Sequence, residues 1–105
     1  MSVKRYAFTV HGQVQGVFFR KYTQQSAQSL SISGFVRNSP DRTVAGEAQG
    51  SSENLEAFKE KLEQGSPASR VDKVDWNELQ IRGDGEGQGY LGASSPDAFS
   101  IARGR

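Results

Sequence analysis

One stretch of the chain contains both kinds of hydrophobic periodicity. Residues 3–30 read VKRYAFTVHGQVQGVFFRKYTQQSAQSL. Tyr6, Phe8 and Val10 share one face of a two-residue repeat, which is typical of a half-buried strand. Beyond the glycines at positions 12 and 16, apolar residues return at the three- and four-residue spacing of a helix. They are Phe19, Tyr22 or Thr23, Ala27 and Leu30. The stretch therefore predicts a strand, a glycine-flanked loop and a helix.

The residues after this helix predict a β-hairpin. FVR at 35–37 has the composition of a short strand, and residues 43–50 form a second extended segment. Between them, NSPD at 38–41 consists of turn-forming residues.

A second helix follows the hairpin. Ser51 and Ser52 are candidates for its N-cap, and Glu53 suits the positive end of a helix dipole. Gly65 is placed to end the helix. The apolar stripe between these signals consists of Leu55, Phe58 and Leu62.

Two further extended segments complete the order of elements. Residues 70–81 contain Val74 and Trp76 at strand spacing, and residues 99–103 alternate apolar and smaller side chains. The glycine-rich segment 83–96 between them is expected to be flexible. The order βαββαβ, with a last short strand, predicts an α+β ferredoxin-like sandwich whose antiparallel sheet carries two helices on one face. We expect a single domain over residues 1–105.

Composition limits the chemistry. Thirteen Lys and Arg against 12 Asp and Glu leave no positive excess to neutralise a nucleic-acid backbone, so a nucleic-acid partner is not expected. Without cysteine, and with His11 as the sole histidine, thiolate nucleophiles, disulfides and Cys- or His-rich metal sites are excluded. No signal peptide or membrane span is recognisable. We therefore expect a cytoplasmic, monomeric protein without membrane contact.

The strongest candidate for a functional site is the loop GQVQGVFFR at 12–20. Its glycines permit left-handed backbone geometry, and the amide N–H groups at a helix start can converge on an anion. Arg20, in the first helical turn, would add a planar and permanently charged fork for a phosphate. An alternative stays open at this point, in which the glycines serve the turn and the arginine pairs with a surface carboxylate.

The loop GQVQGVFFR, followed by GFVRN at 34–38, resembles the acylphosphatases. The resemblance continues through TVAGEAQG at 43–50, GSPASRV at 65–71 and FSI at 99–101. It implies a ferredoxin-like fold and hydrolysis of the carboxyl–phosphate bond of small acyl phosphates to a carboxylate and inorganic phosphate. It also implies that no metal and no organic cofactor take part.

The same resemblance assigns the site residues. Arg20 becomes the phosphate-binding arginine, and Asn38 becomes the residue that positions the attacking water. The substrate phosphate would be held by the backbone of Gln15, Gly16, Val17, Phe18 and Phe19. Water held by the Asn38 amide would then attack phosphorus in line with the departing carboxylate, while Arg20 and the loop amides stabilise the equatorial oxygens.

Some of these residues also have a purely structural interpretation. Asn38 precedes Ser-Pro and would serve equally well as a turn former. Phe18 and Phe19 are expected to anchor the core or the loop rather than to contact substrate, and His11 to be a surface or hydrogen-bonded residue without a catalytic role. GQGYLG at 87–92 matches a dinucleotide-binding pattern but is interpreted as a chance match, because it lies too near the C-terminus to open the helix of a dinucleotide-binding unit.

Two other function classes stay open. The element order also occurs in RNA-recognition motifs, and GFV at 34–36 is a fragment of their aromatic signature. Exposed aromatics on the open sheet face would favour RNA binding, whereas burial of Tyr6 and Phe8 beneath the helices would disfavour it. The other class keeps the phosphate site and binds phosphate without turnover.

Overall fold

The computed structural model describes residues 3–16, 18–80 and 99–101. Its elements are β1 (Val3–Gln13), α1 (Phe19–Ser29), β2 (Ser33–Asn38), β3 (Val44–Ser51), α2 (Ser52–Gln64), β4 (Arg70–Leu79) and β5 (Phe99–Ile101). This order confirms the predicted α+β ferredoxin-like class. The segment 83–96 and the GQGYLG match lie outside the described residues.

The strands form one five-stranded sheet in the order β4-β1-β3-β2-β5. β1 is antiparallel to both β3 and β4, and β2 is antiparallel to β3. β5 departs from the antiparallel expectation because it runs parallel to β2, with Gly34 opposite Phe99. The reason is topological: β4 and β5 occupy opposite edges of the sheet, so β5 pairs with β2 rather than with the strand that precedes it.

The register brings the ends of two strands to the same end of the sheet. Val44, the first residue of β3, lies opposite Val10 of β1 and also opposite Asn38 of β2. Asn38 and Val10 are thus separated by two strand spacings, with β3 between them. Because neighbouring strands are about 4.8 Å apart, Asn38 lies about 10 Å across the sheet from Val10. β1 and β2 run in the same direction, so the loop that follows β1 and the turn that follows β2 lie beside each other.

The core lies between the sheet and the two helices. Phe58 of α2 is at its centre, with the rings of Phe8 and Phe99 edge-on at centroid distances of 5.8 Å each. Tyr6 also packs against the core and stacks on Trp76 at 4.7 Å. Tyr6 and Phe8 therefore point toward the helices. They are not exposed on the open face of the sheet, and this disfavours RNA binding.

The ends of α2 follow the sequence signals. The Ser51 hydroxyl accepts a hydrogen bond from the Asn54 amide at 3.1 Å, which confirms Ser51 as the N-cap. Gly65 ends the helix with a positive φ of 79°. In the described part of the chain, neither helix combines the length and the hydrophobicity needed to cross a bilayer.

Two adjacent phenylalanines have opposite environments. Phe19 is 1 % exposed and belongs to the core, as expected for an anchor. Phe18 is 85 % exposed, so the expectation that it anchors the core or loop is wrong. Phe18 has a left-handed backbone (φ 59°) and caps α1, while Phe19 begins the face of α1 that packs on the sheet. Successive residues at a helix start point in different directions, and only one of the two can face the core.

We expect Phe19→Ala and Phe18→Ala to differ sharply in stability. Loss of the buried ring of Phe19 removes apolar burial and leaves a cavity, which lowers the free energy of unfolding by about 3–5 kcal/mol. Loss of the exposed ring of Phe18 should change it by less than about 0.5 kcal/mol. Urea unfolding of both variants measures the difference, and equal losses would contradict the assigned environments.

Candidate active site

The loop after β1 depends on two glycines for different reasons. At Gly12 (φ 134°), where the pairing of β1 with β4 shifts register, a Cβ atom would lie 2.1 Å from the Arg70 carbonyl oxygen. Gly12 therefore permits a close approach of β4. Gly16 has open space around it but a φ of 76°, so the backbone conformation is what favours glycine there. The cradle position Val17 lies outside the described residues.

The start of α1 lacks the features that normally stabilise a helix N-terminus. Its N-cap is Phe18, whose side chain cannot accept a hydrogen bond, and no acidic residue lies in the first turn. The first turn instead contains Arg20 and Lys21, two cations at the positive end of the helix dipole. The first helical hydrogen bond runs from the Tyr22 amide to the Phe18 carbonyl at 3.0 Å. The amides of residues 19–21 therefore have no acceptor among the described residues.

Arg20 belongs to this first turn of α1. Its side chain forms no ion pair or hydrogen bond within residues 3–16, 18–80 and 99–101. The alternative in which Arg20 pairs with a surface carboxylate is thus not found in this part of the chain. Arg20 lines a cleft of about 310 Å³ together with Gly16 and Phe18.

Asn38 is the last residue of β2, next to the turn that joins β2 to β3. Its side-chain Oδ1 is buried and accepts no hydrogen bond from any residue that the structure describes. Other groups close the turn: the Ser39 amide donates to the Thr43 carbonyl at 2.8 Å, and the Arg42 amide donates to the Ser39 carbonyl at 3.1 Å. The Asn38 carboxamide oxygen is therefore not used to form the turn.

Asp41 makes two hydrogen bonds within this turn. Its Oδ1 accepts hydrogen bonds from the Thr43 hydroxyl at 2.6 Å and from the Thr43 amide at 3.2 Å. These hydrogen bonds stabilise the charged carboxylate and lower the pKa of Asp41 below its ordinary value.

The side chain of Gln15 connects the loop to the turn. Its Nε2 donates to the Ser39 carbonyl at 3.1 Å and to the Thr43 carbonyl at 2.8 Å. The sequence predicts a role only for the backbone of Gln15, in the phosphate-binding loop. The sequence motif does not predict which residues the Gln15 side chain contacts. Sequence reasoning did not predict this contact within the candidate site.

The predicted site residues thus form two groups that meet at Gln15. Gln15 joins the turn beside Asn38, while Gly16 and Phe18 lie with Arg20 around the cleft. Asn38 is not one of the described residues that line that cleft. No hydrogen bond of the described residues joins the Arg20 and Asn38 side chains.

His11 lies just before the loop and has a structural partner. Its Nε2 is 2.8 Å from Oδ2 of Asp75 on β4, in agreement with the expected hydrogen-bonded residue. This contact lowers the pKa of Asp75. Within the described ranges, no three His, Asp or Glu side chains gather into a potential metal site.

A larger cleft of about 620 Å³ opens at the other end of β1. Lys4, Tyr6, Trp76 and glutamates of α2 line it, and it shares no residue with the loop cleft. Its size alone does not indicate function, because it contains neither a glycine-rich turn nor an unpaired helix start.

Comparison with known proteins identifies the family. The family model for acylphosphatases matches residues 6–87. Acylphosphatase-1 of Gallus gallus is 46 % identical over 76 residues, which cover 70 % of this chain and 77 % of that protein. Acylphosphatase-1 of Xenopus laevis is 47 % identical over 76 residues with the same coverage of both chains. The crystal structure of acylphosphatase from Bacillus subtilis superimposes with a TM-score of 0.79 at 31 % identity, covering 96 % of this chain and 99 % of that chain.

The fold and these matches together define a ferredoxin-like α+β hydrolase. The chain belongs to the acylphosphatase family, and its activity is accordingly the hydrolysis of acyl phosphates.

Asp41 predicts a pH dependence of stability. A carboxyl group whose pKa is lowered by folding contributes stability above its unfolded pKa of about 3.9, and this contribution is lost as the pH falls through the folded value. Asp41→Ala should therefore lower the Tm at pH 7, and the difference from the wild type should shrink below about pH 3.9. Asp41→Asn keeps the shape and a neutral acceptor, so its Tm difference should vary less with pH. A difference for Asp41→Ala that stays constant down to acidic pH would contradict this origin.

Proposed function

We propose that the enzyme hydrolyses acyl phosphates by direct in-line attack of water on phosphorus. The phosphoryl group is bound by the loop amides of residues 15–19 and by the Arg20 guanidinium, and the water is positioned by Asn38. The leaving group is the carboxylate of the acyl half.

The observation that carries this proposal is the uncompensated start of α1. The helix begins with no side-chain cap and no acid in its first turn, and the Arg20 guanidinium beside it has no partner among the described residues. One bound phosphate would supply acceptors for the helix amides and a counter-charge for the dipole and for Arg20. No neutral ligand would satisfy all three.

The Asn38 side chain supports the position of the water. A buried amide oxygen without a donor costs about 1–3 kcal/mol, so Asn38 Oδ1 is a strong site for a water O–H. Water that donates to Oδ1 keeps a lone pair free to attack phosphorus. Asn38 is not among the described residues that line the Arg20 cleft, so in this mechanism it holds the water on one side of the phosphoryl group while the acyl half leaves on the other.

The chemistry requires little from the protein beyond position and charge. A bond forms between the water oxygen and phosphorus, and the bond from phosphorus to the acyl oxygen breaks. The electron pair leaves with the carboxylate, which is stable without a proton, so no general acid is needed. A phosphoryl oxygen of the substrate accepts the water proton. Arg20 and the amides stabilise the charge on the equatorial oxygens.

This mechanism uses no metal and no organic cofactor, and the first test is therefore turnover in a chelator. Purified enzyme should release phosphate from acetyl phosphate at the same rate with and without excess EDTA. Loss of activity that added divalent metal restores would contradict the cofactor-independent mechanism. Phosphate binding without turnover would instead support the alternative of a binding protein. Monomeric state, cytoplasmic location and independence from nucleic acid stay predictions.

Arg20→Gln should keep the fold and lose most of the activity. Loss of the charge-assisted contact weakens phosphate binding by about 1.5–3 kcal/mol, and loss of transition-state stabilisation lowers the rate by about 10²–10³-fold. Steady-state kinetics and competitive inhibition by inorganic phosphate measure the two effects. Lys59→Gln on α2 removes one positive charge away from the loop and serves as the control. Near-normal turnover of folded Arg20→Gln would refute the assigned role.

Asn38→Ala should separate catalysis from binding. Loss of the water-positioning group should lower kcat by about 10²-fold, while the inhibition constant of inorganic phosphate should change little. Asn77→Ala on the exposed part of β4 is the matched control. If phosphate affinity collapses while kcat is retained, Asn38 binds the phosphoryl group and does not position water.

A further inference from the structure

The side-chain amide of Gln15 uses both of its N–H donors in hydrogen bonds to the turn beside Asn38. A primary amide has two N–H donors, and Gln15 Nε2 makes two hydrogen bonds, to the carbonyl oxygens of Ser39 and Thr43. These two residues are the opposite ends of the turn, which is itself closed by hydrogen bonds to the same two carbonyls. One half-buried side chain of the loop therefore holds both ends of the turn.

No other hydrogen bond of the described residues joins the loop after β1 to the turn between β2 and β3. The pairing of β1 with β3 ends at Val10 and Val44, and beyond that point β1 pairs only with β4. No backbone hydrogen bond joins the described loop residues to residues 39–43. Gln15 thus provides the hydrogen-bonded link between the loop and the segment that begins at Asn38.

We propose that the Gln15 side chain is a positioning residue, which acts through Asn38 to set the distance between the attacking water and the bound phosphoryl group. The inference rests on the function proposed above. Its backbone belongs to the loop that binds phosphate, whereas its side chain fixes the strand end that holds the water. In-line attack needs both reactants in near-attack geometry, and a displacement of about 1 Å can cost about 10²-fold in rate.

A double-mutant cycle between Gln15→Met and Asn38→Ala tests this inference. Methionine keeps the length of the side chain and removes both donors. If Gln15 acts through Asn38, Gln15→Met should lower kcat about tenfold in the wild-type background but less than about twofold in the Asn38→Ala background. The inhibition constant of inorganic phosphate should stay within about twofold in both backgrounds, and it also shows that the loop is folded. Gln64→Met, at an exposed glutamine that ends α2, is the matched control.

Gln15→Glu adds a readout that general loosening of the fold would not produce. At neutral pH a carboxylate cannot donate to the two carbonyls, but a protonated carboxyl can donate to one of them. Facing two carbonyl oxygens raises the pKa of the new side chain, so the ratio of its kcat to that of the wild type should rise as the pH falls below about 6. A ratio that does not change with pH would overturn the proposal.

The outcomes distinguish this inference from the proposed function. If Asn38→Ala is slow but Gln15→Met causes the same fold-loss in both backgrounds, only the role of Gln15 is overturned. If Gln15→Met weakens phosphate inhibition in step with kcat, Gln15 acts on the phosphate cradle and the inference is again wrong. If Asn38→Ala has wild-type kcat, both proposals fail.

Discussion

The start of α1 is electrostatically unbalanced, and the organisation of the site follows from this. A helix beginning normally has a side-chain acceptor and an acid in its first turn, as α2 has in Ser51 and Glu53. α1 has neither, and it adds Arg20 and Lys21 at the same end. Packing compensates for this weak start, because Phe19, Thr23 and Ala27 bury one face of α1 against the sheet. The helix is therefore held by its core face and leaves its N-terminus available to an anion.

The order of the strands determines where Asn38 lies relative to the loop of the candidate site. β3 lies between β1 and β2, so those two strands run in the same direction and finish at the same end of the sheet. Val44 lies opposite a residue of each and fixes how far apart their ends are. The pairing of β1 with β3 stops at Val10. The sheet therefore does not fix the distance between the loop and Asn38 completely, because the residues beyond Val10 and Asn38 are not held by strand pairing. The Gln15 hydrogen bonds lie within those segments, beyond the last paired residues.

Much of this architecture could be predicted from sequence because it depends on local periodicity. The stripe of Leu55, Phe58 and Leu62, the cap at Ser51 and the glycine at 65 each act within a few residues, and each is found as predicted. The loop motif at 12–20 indicates Arg20, whereas Asn38 is indicated only by the resemblance to the acylphosphatases through GFVRN at 34–38. What could not be predicted depends on contacts far apart in the chain. The Gln15 contacts span 24 and 28 residues, and the pairing of β5 with β2 joins residues about 65 apart. The exposure of Phe18 could not be read from an FF pair, since hydrophobicity alone does not say which of two neighbours faces the core.

In the proposed mechanism, different residues bind the phosphoryl group and position the water, so few polar side chains are needed for this reaction. A carboxylate leaving group needs no proton, and a phosphoryl oxygen can take the proton of water, so an acid–base pair would add little. The main barrier is the alignment of a neutral nucleophile with a highly charged electrophile, which positional order and fixed positive charge both lower. Backbone N–H dipoles and a guanidinium stabilise negative charge, and a carboxamide orients water without repelling the phosphate as a carboxylate would. In this mechanism the rate depends on the rigidity of the backbone around the site, because the phosphate-binding amides are part of the main chain and the Arg20 and Asn38 side chains are attached to it.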